Sequence, residues 1–145
     1  MSHIVDVQIE LRDLNAIRAA VKRLGGIWHE GKTSYAWYGR SVGDYPLPEG
    51  VRKEDLGKCD HAFGFPGASY EVGVIKKPNG QYRLQWDFWE SGGLMAHMGN
   101  EQAHKFCQAY GIEKTKLEAR KNGYLAQEST LADGSIRVTL SKLGG

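Results

Sequence analysis

Two carboxylates, Glu71 and Asp87, are the clearest pair in this chain that could do chemistry. They lie near the two ends of the segment SYEVGVIKKPNGQYRLQWDFWE, which reads as two strands joined by a tight turn. If they face each other across the strands, their Cβ atoms are about 5 Å apart, where like charges destabilise a sheet. Such a pair persists when it binds a cation or when one carboxyl stays protonated for acid–base work. The simpler interpretation is that Arg83, on the same face, neutralises both in solvent.

The register of this hairpin follows from its turn, Pro78-Asn79-Gly80. A two-residue Asn-Gly turn would put Pro78 where a ladder N–H is needed, so a three-residue loop fits better. Gly80 then takes the left-handed position, and Lys77 pairs with Gln81. Counting outward predicts an apolar face and a mostly polar face. The pairs on the apolar face are Lys76–Tyr82, Val74–Leu84, Val72–Trp86 and Tyr70–Phe88. The pairs on the mostly polar face are Ile75–Arg83, Gly73–Gln85 and Glu71–Asp87.

A second candidate metal set is His97, Glu101 and His104, which share one face if a single helix carries them. Gly99 and Asn100 stand between them and favour a break. The spacing also lacks the compactness of the H-E-x-x-H pattern. An exposed polar helix face is the favoured interpretation, with metal binding as the alternative.

The cysteines offer little nucleophilic chemistry. Cys59, Asp60 and His61 are consecutive, whereas a catalytic Cys and His usually meet from separate parts of a fold. Cys59 and His61 share a strand face, so a metal site there stays open. Cys107 is expected to be buried packing. Two cysteines do not make a disulfide framework, so both are expected to be reduced thiols in a cytoplasm.

Aromatic residues are numerous, and some of them are candidates for holding a ligand. Exposed aromatic rings beside an arginine can stack a base or enclose a ligand. Core packing is the alternative for each ring, beginning with Trp86 and Phe88. The predicted ligand-binding set is Trp37, Tyr38, Tyr45, Arg83, Trp89, Glu71 and Asp87.

The elements that must position these residues predict one α+β domain. Its antiparallel sheet of several strands has two main helices packed on one face. The expected segments are a strand over 3–11, a helix over 13–24 capped by Asp13, a strand over 27–39 with an interruption at 30–32 left open, a long irregular loop over 40–58 with a helical turn near 53–56, a strand over 59–65, the central hairpin, a helix over about 100–121, a hairpin over 124–140 and a flexible tail over 141–145.

The composition of the 145 residues is that of an ordinary globular protein, with 41% hydrophobic and 25% charged residues. A net charge of +2 is too balanced to indicate nucleic-acid binding. We expect no signal peptide and no membrane span, because the first residues carry Asp6 and Glu10 and no apolar run is long enough.

Three segments, taken in order, resemble one family. They are MSHIVDVQIELRDLNAIRAAVKRLGG, YEVGV…GQYRLQWDFW and EARKNGY…DGSIRVTL. They are similar to the Ycf thirty-five-like family of cyanobacteria, red-algal plastids, bacteria and tailed phages. The stretch CDHAFGFPGASYEVGV resembles the phage and bacterial branch. The resemblance implies a compact α+β domain with no established activity, and it supplies no catalytic residues.

The leading functional prediction is a non-enzymatic binding protein of a phage or bacterium, acting through a protein partner or a small nucleotide-like ligand. One alternative is a metal-dependent enzyme that uses the carboxylate pair or the helix histidines. The other is single-stranded nucleic-acid binding on the sheet. The cofactor is unknown, and a homo-oligomer is left open.

Overall fold

The computed structural model describes residues 4–6, 10–39 and 46–143. These form an α+β domain with a five-stranded antiparallel sheet, a separate two-stranded sheet and three helices. Among the described residues, no helix has the length and apolar character that a membrane span requires. The strands are β1 Ile4–Asp6, β2 Ile27–His29, β3 His61–Gly64, β4 Val72–Lys76, β5 Tyr82–Asp87, β6 Tyr124–Thr130 and β7 Ile136–Lys142, and the helices are α1 Leu14–Arg23, α2 Met95–Met98 and α3 His104–Lys121.

The central hairpin β4–β5 has the predicted register. Ile75 pairs with Arg83 and Gly73 with Gln85, and the ladder is closed by a hydrogen bond from the Lys77 N–H to the Gln81 carbonyl. Gly80 has a φ of 85°, the left-handed conformation that the three-residue turn requires. The turn therefore sets which side chains lie on which face.

The sheet has the order β1-β5-β4-β3-β2. The predicted strand over 27–39 is broken at the interruption that the sequence suggested over 30–32, because β2 ends at His29 and Gly31 turns the chain with a φ of 70°. Beyond it, Ser34 forms a single bridge with Lys58. The described part of the predicted loop, from residue 46, contains the expected helical turn as a 3-10 helix at Lys53–Asp55.

The apolar face of the hairpin is the core. Its residues Val72, Val74, Leu84 and Trp86 are fully buried. Helices α1 and α3 pack against this face, as predicted. They contribute Ala16, Ile17, Ala20, Val21, Phe106, Ala109 and Tyr110. Helix α1 begins after Asp13, whose carboxylate accepts the N–H groups of Asn15 and Ala16.

The predicted helix over 100–121 begins later than expected. Helix α2 ends at Gly99, which has a φ of 102°, and α3 starts at His104. Asn100 still serves the start of α3, because its Oδ1 accepts the His104 N–H at 3.1 Å. Gly111 does not interrupt the helix, which is continuous to Lys121.

The opposite face of the central sheet is not open to solvent, which corrects the expectation of a wet polar face. Gln85 is 2% exposed and Asp87 is fully buried. The Tyr35 ring lies flat against Gly73, where an added Cβ would come within 2.3 Å of it. The segment 35–38 therefore crosses this face and covers its polar side chains.

The last hairpin, β6–β7, resolves a register that the sequence left open. Thr130 pairs with Ile136 and Tyr124 with Lys142. Lys142 lies in β7, so the predicted flexible tail over 141–145 is wrong for residues 141 and 142, and residues 144 and 145 lie outside the described part. The hairpin packs mainly through β6 against α3.

An ion-pair network attaches this hairpin to both helices. Glu128 accepts hydrogen bonds from Arg23 of α1 and from Lys116 of α3, the latter at 2.7 Å. Arg23 also pairs with Glu113 at 3.2 Å. The hydrogen bonds from Arg23 and then from Lys116 lower the pKa of Glu128 to about 2. The charged carboxylate is therefore the form that the folded state favours.

Replacing this carboxylate should weaken the attachment. We expect Glu128→Gln to lower the free energy of unfolding at pH 7 by about 1–2 kcal/mol, because it removes the negative charge that strengthens the hydrogen bonds from Arg23 and Lys116. In the wild type this stabilisation is present above the unfolded pKa of about 4.3 and is lost as the pH falls towards 2. Urea unfolding at several pH values measures it, with Glu101→Gln on the exposed surface as the control. Equal pH dependence in Glu128→Gln and the wild type would contradict this role.

Candidate functional site

A cleft opens on the covered face of the central sheet, beside the hairpin turn end of β4 and β5. Its volume is about 300 Å³. The floor is the β4–β5 pair Ile75–Arg83 with Gln85, and the wall is the irregular segment that follows residue 46. The lining residues are Gly50, Val51, Asp55, Lys58, Cys59, Asp60, Ile75, Arg83 and Gln85.

Gln85 is placed in this cleft by a buried hydrogen bond. The Tyr35 hydroxyl donates to Gln85 Oε1 at 2.5 Å, and both side chains are almost fully buried. Gln85 Nε2 hydrogen-bonds to no other residue in the described part of the chain. Because Tyr35 holds Oε1 of the Gln85 amide, the Nε2 group is the donor that remains for a ligand in the cleft.

The two carboxylates of the cleft are already engaged by the protein. Asp55 accepts hydrogen bonds from Arg52, and Asp60 Oδ2 accepts the Lys76 N–H at 2.7 Å. The hydrogen bond from Arg52 holds the pKa of Asp55 below its usual value. Lys58 and Arg83 supply two positive charges to the same lining. The cleft therefore combines two cationic side chains with two carboxylates that the protein itself holds by hydrogen bonds.

Cys59 is a poor nucleophile in this setting. Burial, followed by the nearby charges of Asp60 and Glu71, raises the pKa of its thiol to about 11. Its Sγ donates to the Lys32 carbonyl at 3.2 Å. Because the thiolate is the reactive form, Cys59 is held in the unreactive form at neutral pH. Cys107 is also a free thiol, with a pKa raised by burial.

The predicted Glu71–Asp87 pair is not formed. Strand β4 begins at Val72, and the Glu71 N–H donates to the Ala36 carbonyl instead of continuing the ladder towards Asp87. The segment 35–38 has entered at this end of the hairpin. The two carboxylates are therefore served by separate partners.

Glu71 is neutralised by Lys32, whereas the simpler interpretation assigned this role to Arg83. Lys32 Nζ lies 2.7 Å and 2.8 Å from the two carboxylate oxygens, and the Ala36 N–H donates at 3.0 Å. Burial alone would raise the pKa of Glu71, but these hydrogen bonds outweigh it and hold the pKa below its usual value. Glu71 therefore works as an ionised anchor for the segment that covers the sheet.

Asp87 is buried and receives backbone donors. Its Oδ2 accepts the Tyr38 N–H at 3.2 Å and its Oδ1 accepts the Trp89 N–H at 3.0 Å. Two of the predicted ligand-binding aromatics are thus attached to Asp87 through their backbones. Asp87 therefore holds the segment 35–38 and the residues after β5 in place through backbone hydrogen bonds.

Trp37, Tyr38 and Trp89, the predicted aromatic residues that the structure describes, do not line the cleft directly. Trp37 is half-buried against Gly57, next to Lys58 in the cleft wall, and an added Cβ on Gly57 would lie 2.6 Å from Trp37 Nε1. Tyr38 is 37% exposed and Trp89 is half-buried. Tyr45 lies outside the described residues. Of the six predicted residues that the structure describes, only Arg83 is brought into the cleft.

The histidine set is dispersed. The His97 ring stacks on Phe65 at 4.4 Å, whereas His104 opens α3 beyond the break at Gly99. Among residues 4–6, 10–39 and 46–143, no group of three or more His, Cys, Asp or Glu side chains has a geometry that could hold a metal ion.

Sequence reasoning missed Lys58 and Gln85 as residues of the cleft and Tyr35 as the group that orients Gln85. Gln85 carried a usable signal, because it alternates with Arg83 on one face of β5. Lys58 and Tyr35 carried none, because their positions depend on how two irregular segments cross the sheet.

Comparisons of the chain with protein-family models, with curated proteins and with solved structures give no match. The resemblance to the Ycf thirty-five-like family stays a prediction.

The high pKa of Cys59 predicts slow alkylation. In the folded protein we expect the Cys59 reaction with iodoacetamide to be much slower at pH 7 than that of a free cysteine. The rate should rise with pH through a midpoint near the pKa of about 11. Mass spectrometry of the Cys59 peptide measures this rate, and the same peptide in urea is the control. A fast reaction at pH 7 in the folded state would contradict the assignment.

Proposed function

We propose that the protein is a non-enzymatic binding protein whose cleft holds a small, anionic, nucleotide-like ligand. The observation that carries the proposal is the convergence of Arg83, Lys58 and the buried Gln85 amide on one cleft whose carboxylates are engaged elsewhere. Phosphate and carboxylate groups are recognised by this combination of cationic and neutral donors.

The size and walls of the cleft support a small ligand. A volume of about 300 Å³ lies at the lower end of the range for small-molecule sites. Val51 and Ile75 add apolar surface beside the polar groups. A site with an apolar wall and a few convergent donors suits a ring that carries an anionic group.

Binding is favoured over catalysis by the state of the reactive groups. The only thiol in the cleft has a pKa of about 11, and the cleft carboxylates already accept hydrogen bonds from Arg52 and Lys76. A general base must have its carboxylate or lone pair available to the substrate proton. Asp55 and Asp60 instead hold Arg52 and the Lys76 backbone in place.

The family resemblance belongs to the same proposal. Membership in the Ycf thirty-five-like family is supported by the three sequence segments, and its phage and bacterial branch by the stretch CDHAFGFPGASYEVGV. A cytoplasmic location is supported by the two free cysteines.

Titration calorimetry with AMP, adenosine and inorganic phosphate tests the proposal. We expect AMP to bind, adenosine to bind more weakly, and Arg83→Gln and Lys58→Met each to weaken AMP binding by about tenfold or more, because each removes a charged donor. Arg120→Gln, an exposed arginine on α3, is the matched control and should bind AMP as the wild type does.

Melting curves separate binding from folding. Affinities are compared at a temperature where the melting curves show both Arg83→Gln and the wild type to be folded, so a loss of affinity reflects the site. If the wild type does not bind AMP, the proposal of a nucleotide-like ligand is wrong. If the wild type and Arg83→Gln bind AMP with equal affinity, the ligand does not bind in this cleft.

A further inference from the structure

The outer edge of β7 is a long, exposed strand edge. Among the described residues the sheet has only the two strands β6 and β7, and α3 packs mainly against β6. Arg137, Thr139, Leu140, Ser141 and Lys142 of β7 are exposed. A strand in this position presents unpaired backbone donors and acceptors that can pair with another strand.

The register tells which backbone groups point outward. The hydrogen bonds from Leu131 N–H to the Ser135 carbonyl and from Leu143 N–H to the Gly123 carbonyl mark the odd-numbered residues of β7 as the ones bonded to β6. The N–H and C=O groups of the even-numbered residues therefore point away from β6. These residues are Ile136, Val138, Leu140 and Lys142.

This edge is complementary to itself. A two-fold axis at Thr139 brings two antiparallel β7 strands together over their full length, because outward-pointing residues then meet outward-pointing residues. Val138 lies opposite Leu140 of the second copy, and Thr139 lies opposite Thr139 of the second copy. A shift by one residue would set outward-pointing groups against inward-pointing ones and lose the hydrogen bonds.

The side chains also fit a second copy. The two cations of β7 do not face each other in this register, since Arg137 meets Ser141 and Lys142 meets Ile136 of the second copy. Leu140, which is 47% exposed, gains Val138 as a neighbour on the same face. Apolar cross-strand pairs and Thr–Thr pairs both stabilise antiparallel sheets.

We propose that two copies of this chain associate through β7, joining their hairpins into one four-stranded antiparallel sheet with the order β6-β7-β7-β6. The central sheet and its cleft lie outside this interface, so the association is independent of ligand binding.

Sedimentation of the full chain over a range of concentrations tests the proposal, using Thr139→Lys and Gln127→Lys. Thr139 pairs with Gln127 in the hairpin, so both variants add the same charge to the same face and the same row. Only Thr139→Lys sets two like charges at the two-fold axis. We expect it to weaken the dimer roughly fivefold or more, and Gln127→Lys to leave it unchanged.

Thr139→Cys gives a second measurement that does not depend on affinity. Under mild oxidation it should form a covalent dimer through residue 139, because directly opposed residues at the axis are in close contact. Gln127→Cys should not. A wild type that stays monomeric at all concentrations, a dimer equally weakened by both lysine variants, or cross-linking through both cysteine variants would overturn the proposal.

Discussion

The pairing register of β4 and β5 is the constraint on which the rest of the fold depends. Pro78 and Gly80 allow one turn geometry, and that geometry puts Val74 opposite Leu84. The side chains of Val72, Val74, Leu84 and Trp86 then point to the side where α1 and α3 lie. A slip of one residue would expose this set and bury Arg83 and Gln85 among the helices, so alternative registers are strongly disfavoured.

The same register places polar side chains on the second face of the hairpin, where they need hydrogen-bond partners. Gln85 and Asp87 fall on that face, and the chain covers them instead of leaving them in water. Buried polar groups are tolerated only when they are hydrogen-bonded, and the segment 35–38 supplies the partners. The Tyr35 hydroxyl reaches Gln85, and the Tyr38 N–H reaches Asp87. Gly73 permits this because its missing side chain leaves room for the Tyr35 ring. The cleft is the part of this face that lies beyond that cover, next to Ile75 and Arg83.

The parts of the fold that could be predicted are those that local chemistry determines. Asp13 and Gly25 bound α1, and Asn122 and Gly123 end α3, because caps and left-handed glycines act within a few residues. Local chemistry could not show whether Glu71 lies opposite Asp87. The pair does not form because Ala36, from a distant part of the chain, accepts the hydrogen bond of the Glu71 N–H. The site is harder to predict for the same reason. Arg83 was identified from the strand pattern, whereas Lys58 reaches the cleft through a connection with no periodic signal.

The edges of the two sheets contrast in a way that bears on association. In the described residues, one edge of the central sheet is β2, which has three residues, and a short edge strand offers little for another chain to pair with. Strand β7 has seven residues, and its sheet has only one other described strand. Two-stranded hairpins are marginally stable alone, and here α3 and the Glu128 network support the β6 side. The β7 side has no comparable support within the described chain. A second β7 strand would provide it, because it extends the same ladder with apolar pairs on the face that already carries Val138 and Leu140.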